Sequence, residues 1–101
     1  MVRGDWGFDI KIQIFQSNGK TPANINGASV KFKMMREGQS ENKINGACTI
    51  TDGPNGRCKY RVVESDFDTV GIYTTEAELT FANKVLTARL EPIEVVEDLP
   101  E

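Results

Sequence analysis

The residues of this sequence that could perform chemistry are two cysteines and several carboxylates, because the chain contains no histidine. Histidine is the most common general base in enzymes and the most common ligand of transition metals. Two thiolates are too few for a structural zinc site. From these residue types we expect no metal, no cofactor and no catalytic residue.

The carboxylates occur in pairs, Asp66 with Asp68 and Glu76 with Glu78. A catalytic pair needs burial and a partner that separates the two pKa values. Glu76 and Glu78 alternate along a predicted strand, so they share its solvent face. Asp66 and Asp68 lie where capping of a short helical turn explains them, and a loop calcium site is the alternative. No Gly-rich phosphate loop or nucleophile elbow accompanies them, so we predict that the protein is not an enzyme.

Cys48 and Cys58 flank one turn, and the alternation of the two adjoining strands points both side chains toward the core. We predict two small buried thiols, as is usual for a protein made in the cytosol. The alternative is a disulfide that closes a short loop and stabilises the fold by about 2–3 kcal/mol.

The composition is that of one globular domain. The chain has 101 residues, of which 39% are hydrophobic and 27% charged, with a net charge of -3. The acidic balance argues against a partner bound through phosphates, so we expect no nucleic acid. No apolar run approaches the roughly 20 residues that cross a bilayer, and the first residues lack the apolar core of a secretory signal. We predict a single domain over residues 1–101, with flexible ends at residues 1–6 and 97–101.

Hydrophobic residues alternate with period two along most of the chain, which predicts short strands. The predicted strands are Phe8–Phe15, Ala28–Met35, Lys43–Thr51, Arg57–Val63, Gly71–Phe81, Val85–Leu90 and Ile93–Val96. The third contains Asn45-Gly46, which predicts either a bulge or a division into two pieces. Six or seven strands at this spacing predict an all-β, antiparallel β-sandwich. One short helical turn is expected near residues 64–70, capped by Ser65, Asp66 or Asp68.

Tyr73 follows Asp68 to Ile72 at the start of a predicted strand. This arrangement is similar to the tyrosine corner of immunoglobulin-like sandwiches, in which the tyrosine hydroxyl bonds to upstream backbone. It supports an immunoglobulin-like version of the sandwich and carries no information on function.

Several features occur along the chain in a characteristic order. They are the turn segment Pro22–Gly27, the strand Ser29–Met34, the run from Ile50 through Gly56 to Tyr60, Ser65 and Asp66 followed by Gly71, Tyr73, Glu76 and residues 80–84, and the closing segment 93–99. This series resembles the small immunoglobulin-like domain at the N-terminus of phage baseplate upper proteins and of related phage tail proteins. The resemblance covers roughly residues 8–99.

The resemblance implies a non-enzymatic structural protein of a bacteriophage or prophage virion, in the tail, the baseplate or the capsid. It implies synthesis in the bacterial cytoplasm, localisation in the virion, other virion structural proteins as partners, and a homo-oligomer as a further arrangement. It transfers no catalytic residue. The alternative from a different class is a ligand- or carbohydrate-binding adhesion module.

Three apolar residues are the interface residues that we predict from the sequence: Trp6, Phe15 and Met35. Trp6 is the only tryptophan and precedes the first predicted strand. Tryptophan is enriched at interface hot spots, and the alternative role for Trp6 is a lid over the open end of the core. Phe15 and Met35 occupy outward positions of their predicted strands.

Overall fold

The computed structural model describes residues 1–98. Within this range the chain forms eight β-strands and one short 3-10 helix. The strands are β1 (Asp9–Gln13), β2 (Ser29–Arg36), β3 (Ile44–Ala47), β4 (Thr49–Asp52), β5 (Arg57–Arg61), β6 (Gly71–Thr80), β7 (Val85–Arg89) and β8 (Ile93–Val95), and the 3-10 helix is Gly53–Asn55. The predicted all-β fold is therefore confirmed.

The strands form two antiparallel sheets. The three-stranded sheet has the order β1-β5-β4, and the five-stranded sheet has the order β3-β2-β6-β7, with β8 also paired to β6. The pairing of β6 runs from Thr80 opposite Val85 to Glu76 opposite Arg89, and resumes with Tyr73 opposite Ile93. The register shifts by one residue between these two parts. β7 and β8 are thus one strand interrupted by a bulge, at the point where Pro92 lacks an N–H to donate.

The order of the strands is that of an immunoglobulin-like sandwich. In that fold strands A, B, E and D form one sheet, and C, F and G form the other, with C′ beside C in the larger variants. Here β1, β5 and β4 correspond to B, E and D, while β3, β2 and β6 correspond to C′, C and F. The interrupted β7–β8 strand corresponds to G, and Val2 forms a parallel bridge to Val96 next to it. No strand of the described residues takes the place of A beside β1.

The core lies between the two sheets and follows the alternation in the sequence. Its members include Val30, Phe32, Met34, Cys58, Tyr60, Val62, Tyr73, Ala77 and Leu79, each at most 7% exposed. The rings of Phe32 and Tyr60 stack with centroids 5.2 Å apart and join the two sheets. Gly46 of β3 lies against the Tyr60 ring, where a Cβ atom would collide with it. A residue with no side chain is therefore needed at position 46.

The third predicted strand is divided into two pieces, which is one of the two alternatives predicted from the sequence. β3 belongs to the five-stranded sheet and β4 to the three-stranded sheet, so the chain changes sheet at Cys48 between them. Asn45 and Gly46 lie inside β3 and pair with Lys33 and Phe32. The division is therefore a crossover between the sheets, and it lies two residues beyond Asn45-Gly46.

The helical turn expected near residues 64–70 is not helical. Residues 64–67 form a hydrogen-bonded turn, in which Ser65 has a φ of 74°. This left-handed dihedral is incompatible with an α-helical turn. The Asp66 carboxylate accepts the Val63 N–H at 2.9 Å and the Tyr60 hydroxyl at 2.6 Å. Asp66 therefore closes a turn against β5, and it does not cap a helix.

The N-terminal segment is hydrogen bonded to the rest of the domain, although the sequence predicted a flexible end at residues 1–6. The Met1 ammonium donates to Glu94 O at 3.0 Å, and the N–H groups of Arg3 and Gly4 donate to Val96 O and Phe67 O. The predicted flexible end at residues 97–101 lies outside the described residues from position 99 onward. Within residues 1–98 there is no helix with the length and apolar character to span a membrane.

Candidate interaction surfaces

The three predicted interface residues do not form one surface. Trp6 is 58% exposed and precedes β1, whereas Phe15 is 44% exposed and follows β1, so they lie at opposite ends of the sandwich. Met35 is half-buried on the outer face of the five-stranded sheet, opposite Thr74.

Most of the exposed large hydrophobic residues lie at the end of the sandwich that carries Trp6. We call this group the apolar end, and its members are Met1, Trp6, Val63, Ile72 and Val96, each at least 40% exposed. Backbone hydrogen bonds join the segments that carry them, from Gly7 N–H to Val62 O and from Val96 N–H to Met1 O. Concentrated exposed apolar surface is typical of interaction sites.

The loop behind the apolar end is fixed by the predicted tyrosine corner. The Tyr73 hydroxyl donates to Thr69 O at 2.6 Å, and Tyr73 is 1% exposed, so this prediction is confirmed. The ring of Phe67 lies 6.0 Å from that of Phe8, which ties the same loop to the N-terminal segment. The apolar end is therefore presented by an ordered loop.

The outer face of the three-stranded sheet is basic. Its outward charged side chains on β1 and β5 are Lys11, Arg57, Lys59, Arg61 and Asp9. The Arg61 guanidinium lies 2.7 Å from the Asp9 carboxylate and holds the pKa of Asp9 below its usual value. Lys11 lies directly opposite Lys59, and like charges in this position repel each other. An anionic group beside Lys11 would relieve this repulsion.

One edge of β1 has no strand beside it. The Val62 N–H donates to Phe8 O, and the Ile14 N–H donates to Gly56 O. Hydrogen-bonded pairs alternate along an antiparallel ladder, so Ile10 also bonds across to β5. The intervening residues direct their backbone N–H and C=O groups to the open edge. These residues are Asp9, Lys11 and Gln13.

The inner face of β7 is not covered by the three-stranded sheet. Leu79 and Leu86 are opposite each other on β6 and β7, so their side chains share the inner face of the sheet. Leu79 is 2% exposed and Leu86 is 49% exposed. The difference shows that the three-stranded sheet reaches over β6 and ends before β7. In an immunoglobulin-like sandwich, strand A would cover this position.

A cleft of about 310 Å³ lies between the open edge of β1 and the interrupted β7–β8 strand. We call it the edge slot. The side chains that line it include Ile10 and Ile12 of β1, Phe32 of β2, and Leu90, Pro92 and Ile93 of the interrupted strand. Met1 of the apolar end also lines the slot. The slot combines an apolar lining with unpaired backbone groups along one side, which are the two features that an added β-strand requires.

The two cysteines are free thiols that contact each other in the core. Cys58 is 2% exposed, and Cys48 is partly buried at the crossover between the sheets. The interaction with the Cys58 thiol, together with burial, raises the pKa of Cys48, and the same interaction lowers the pKa of Cys58. A raised pKa keeps a thiol protonated at neutral pH, and a protonated thiol is a poor nucleophile.

Comparison of the chain with protein-family models and with curated proteins gives no match. Among residues 1–98 there is no group of three or more Cys, Asp or Glu side chains placed to hold a metal ion.

The edge slot was not predicted from the sequence, and Trp6 is the one member of the apolar end that was. Alternation along the predicted strand Val85–Leu90 places Leu86 and Leu90 on the same face, but alternation does not show what covers that face. The open edge of β1 depends on which strands pair, and residue patterns do not specify pairing. The available signal for the open edge was a lysine on β1 directly opposite a lysine on β5, but this signal can be read only when the register of the two strands is known.

Proposed function

We propose that this protein is a non-enzymatic assembly module of a bacteriophage or prophage virion, which docks onto a tail, baseplate or capsid protein. The virion context comes from the sequence resemblance to the N-terminal domain of baseplate upper proteins. The observation that carries the docking role is the apolar end, where Trp6 is 58% exposed and four further large apolar residues are each at least 40% exposed.

The apolar end has the properties of a docking surface. Its exposed side chains project from segments held by backbone hydrogen bonds and by the tyrosine corner, so binding orders few additional groups. A charged pair, Arg3 with Glu97 at 2.9 Å, lies beside it on the chain and gives it a polar rim. Tryptophan is one of the residue types that are enriched at interface hot spots.

The test is the composition of virus particles from the bacterium that carries the gene. Mass spectrometry of purified particles is expected to find the protein at a fixed ratio to the tail or capsid proteins. Replacement of Trp6 by Ser is expected to reduce its incorporation, whereas Val85→Ser, also at a residue that is 58% exposed, leaves incorporation unchanged. A protein that is present in the cells and absent from the particles would contradict the proposal.

A carbohydrate-binding adhesion module is the second candidate, and the exposure of Trp6 favours it because sugar sites use exposed aromatic rings. Binding on a glycan array that is lost in Trp6→Ala would support this candidate. Silence on the array together with incorporation into particles would favour assembly.

A further inference from the structure

We propose that the edge slot is a binding site for one extended strand of a partner protein, with apolar residues facing inward and an acidic residue facing outward beside Lys11. This inference deepens the proposed docking role and rests on it. The strand would take the position of strand A, complete the three-stranded sheet as its fourth strand, and cover the inner face of β7.

The backbone of β1 supplies the hydrogen bonds for such a strand. Lys11 directs both its N–H and its C=O away from β5, and Asp9 and Gln13 do the same on either side. An antiparallel strand centred on Lys11 would exchange two hydrogen bonds with it. Five residues of β1 offer an edge of roughly 17 Å at about 3.4 Å per residue, the length of an ordinary strand.

The apolar lining specifies the inward residues of the occupant. Ile10 and Ile12 line one side of the slot, and Leu90 and Ile93 line the other. Leu86 extends the uncovered apolar surface along β7 and is 49% exposed. Side chains of a strand alternate between faces, so every second residue of the occupant would be aliphatic.

Charge complementarity specifies the outward residue. Lys11 is exposed, forms no ion pair among residues 1–98, and lies opposite Lys59. An acidic side chain opposite Lys11 on an added strand would form a cross-strand pair and offset the repulsion between the two lysines. The nearby carboxylate of Asp9 already pairs with Arg61 at 2.7 Å and with Lys59 at 3.6 Å, so among residues 1–98 Lys11 is the lysine of the two that has no carboxylate partner.

A second copy of this chain does not fit by symmetric pairing of the two β1 edges. β7 extends beyond β1, as the exposure of Leu86 shows. Pairing β1 with its copy would place the β7 of each copy beneath the β1 of the other, where β6 already lies. The occupant is therefore a single strand with no sheet attached beneath it.

The experiment tethers a model strand to the full chain. The peptide VTVEVTV is fused after Glu101 through a Gly/Ser linker of about 20 residues, which supplies a millimolar effective concentration over roughly 25 Å. The matched control is VTVKVTV. With VTVEVTV we expect the Lys11 amide to exchange at least tenfold more slowly, the Leu86 methyl resonances to shift, and the thermal midpoint to rise more than with the control. In Lys11→Glu the order of the two peptides is expected to reverse.

Three outcomes would overturn the inference: no change at Lys11 and Leu86 with either peptide, changes that map to the edge of β3 or β4, or a peptide-free chain that forms a dimer through β1 in light scattering.

Loss of particle incorporation in Trp6→Ser is independent of the slot. If the tethered strand fails while that dependence on Trp6 holds, the slot assignment is wrong and the docking role stands.

Discussion

Replacing Leu79 and Leu86 in turn by alanine tests whether β7 is left uncovered by the three-stranded sheet. The two side chains are opposite each other on one face of the five-stranded sheet, so only the covering layer distinguishes them. Leu79 is 2% exposed, and truncation of a leucine buried to this degree costs about 2–5 kcal/mol because it leaves a cavity.

Leu86 is 49% exposed, so folding removes only about half of its side-chain area from water. Full burial of a leucine is worth about 1.5–3 kcal/mol, and half of this value, with no cavity term, gives about 1 kcal/mol for Leu86→Ala. In urea unfolding, the free energy of unfolding of both variants is expected to fall with urea concentration at the same slope, since neither substitution changes the surface exposed on unfolding by much. For a domain of this size the thermal midpoint would fall by about 4–8 °C in Leu86→Ala and at least twice as far in Leu79→Ala.

The result that would refute this reasoning is an equal loss of stability in the two variants. Equal losses would mean that Leu86 is covered in solution, and the edge slot would then already be filled. A loss of about 1 kcal/mol or less for Leu86 with a loss of several kcal/mol for Leu79 would support the open slot.

Four further predictions follow from particular contacts. Tyr73→Phe removes the hydrogen bond to Thr69 O and is expected to lower the free energy of unfolding by about 0.5–1.5 kcal/mol; an unchanged urea midpoint would contradict the tyrosine corner. Gly46→Ala places a Cβ against the Tyr60 ring and is expected to lower the free energy of unfolding in urea by about 1–3 kcal/mol. Gly19→Ala is the milder control, because its added Cβ meets no atom within 4 Å and its cost comes only from the positive φ. Both cysteines are expected to react with a thiol reagent after unfolding without reductant, and failure to react would reveal a disulfide. The hydrogen bond from Lys33 lowers the pKa of Glu78. The stability that this pair contributes is therefore present above the ordinary carboxyl pKa near 4.5 and is lost as the pH falls through the lower pKa of the folded state. Glu78→Gln is expected to flatten the acid limb of the plot of stability against pH, and an unaltered limb would contradict this assignment.

The strands were predictable because burial on one face imposes period-two alternation. In β2 the residues Val30, Phe32 and Met34 are buried, as their spacing predicts, and the same is true of Cys58 and Tyr60 in β5. The tyrosine corner was predictable because its residues lie within one short segment, Thr69 to Tyr73, so no long-range pairing is needed to infer it.

The helical turn at residues 64–70 was predicted wrongly because the capping residues have two possible partners. Aspartate accepts hydrogen bonds equally well from a helix N-terminus and from a turn that it closes itself. The choice depends here on Tyr60, whose hydroxyl donates to Asp66 at 2.6 Å from β5. That contact exists only once the sheet has formed, so the local sequence does not report it.

The candidate surfaces were less predictable than the fold. Trp6 was identified by its residue type, but other exposed residues of the apolar end, such as Val63 and Val96, come from distant parts of the chain. Leu86 reads as a core residue because its strand alternates, and its exposure results from a covering strand that the described residues do not supply. Both candidate surfaces depend on which positions lack a neighbour in space, whereas residue patterns record neighbours along the chain only.

Amide hydrogen exchange of the unmodified chain tests the central claim most directly, since the open edge of β1 is the feature that distinguishes this domain from a closed sandwich. We expect the Ile10 and Ile12 amides, which bond to β5, to exchange slowly, and the Lys11 amide between them to exchange at close to the rate of an exposed amide. Protection of Lys11 equal to that of Ile12 in the isolated monomer would contradict the open edge and the binding site inferred from it.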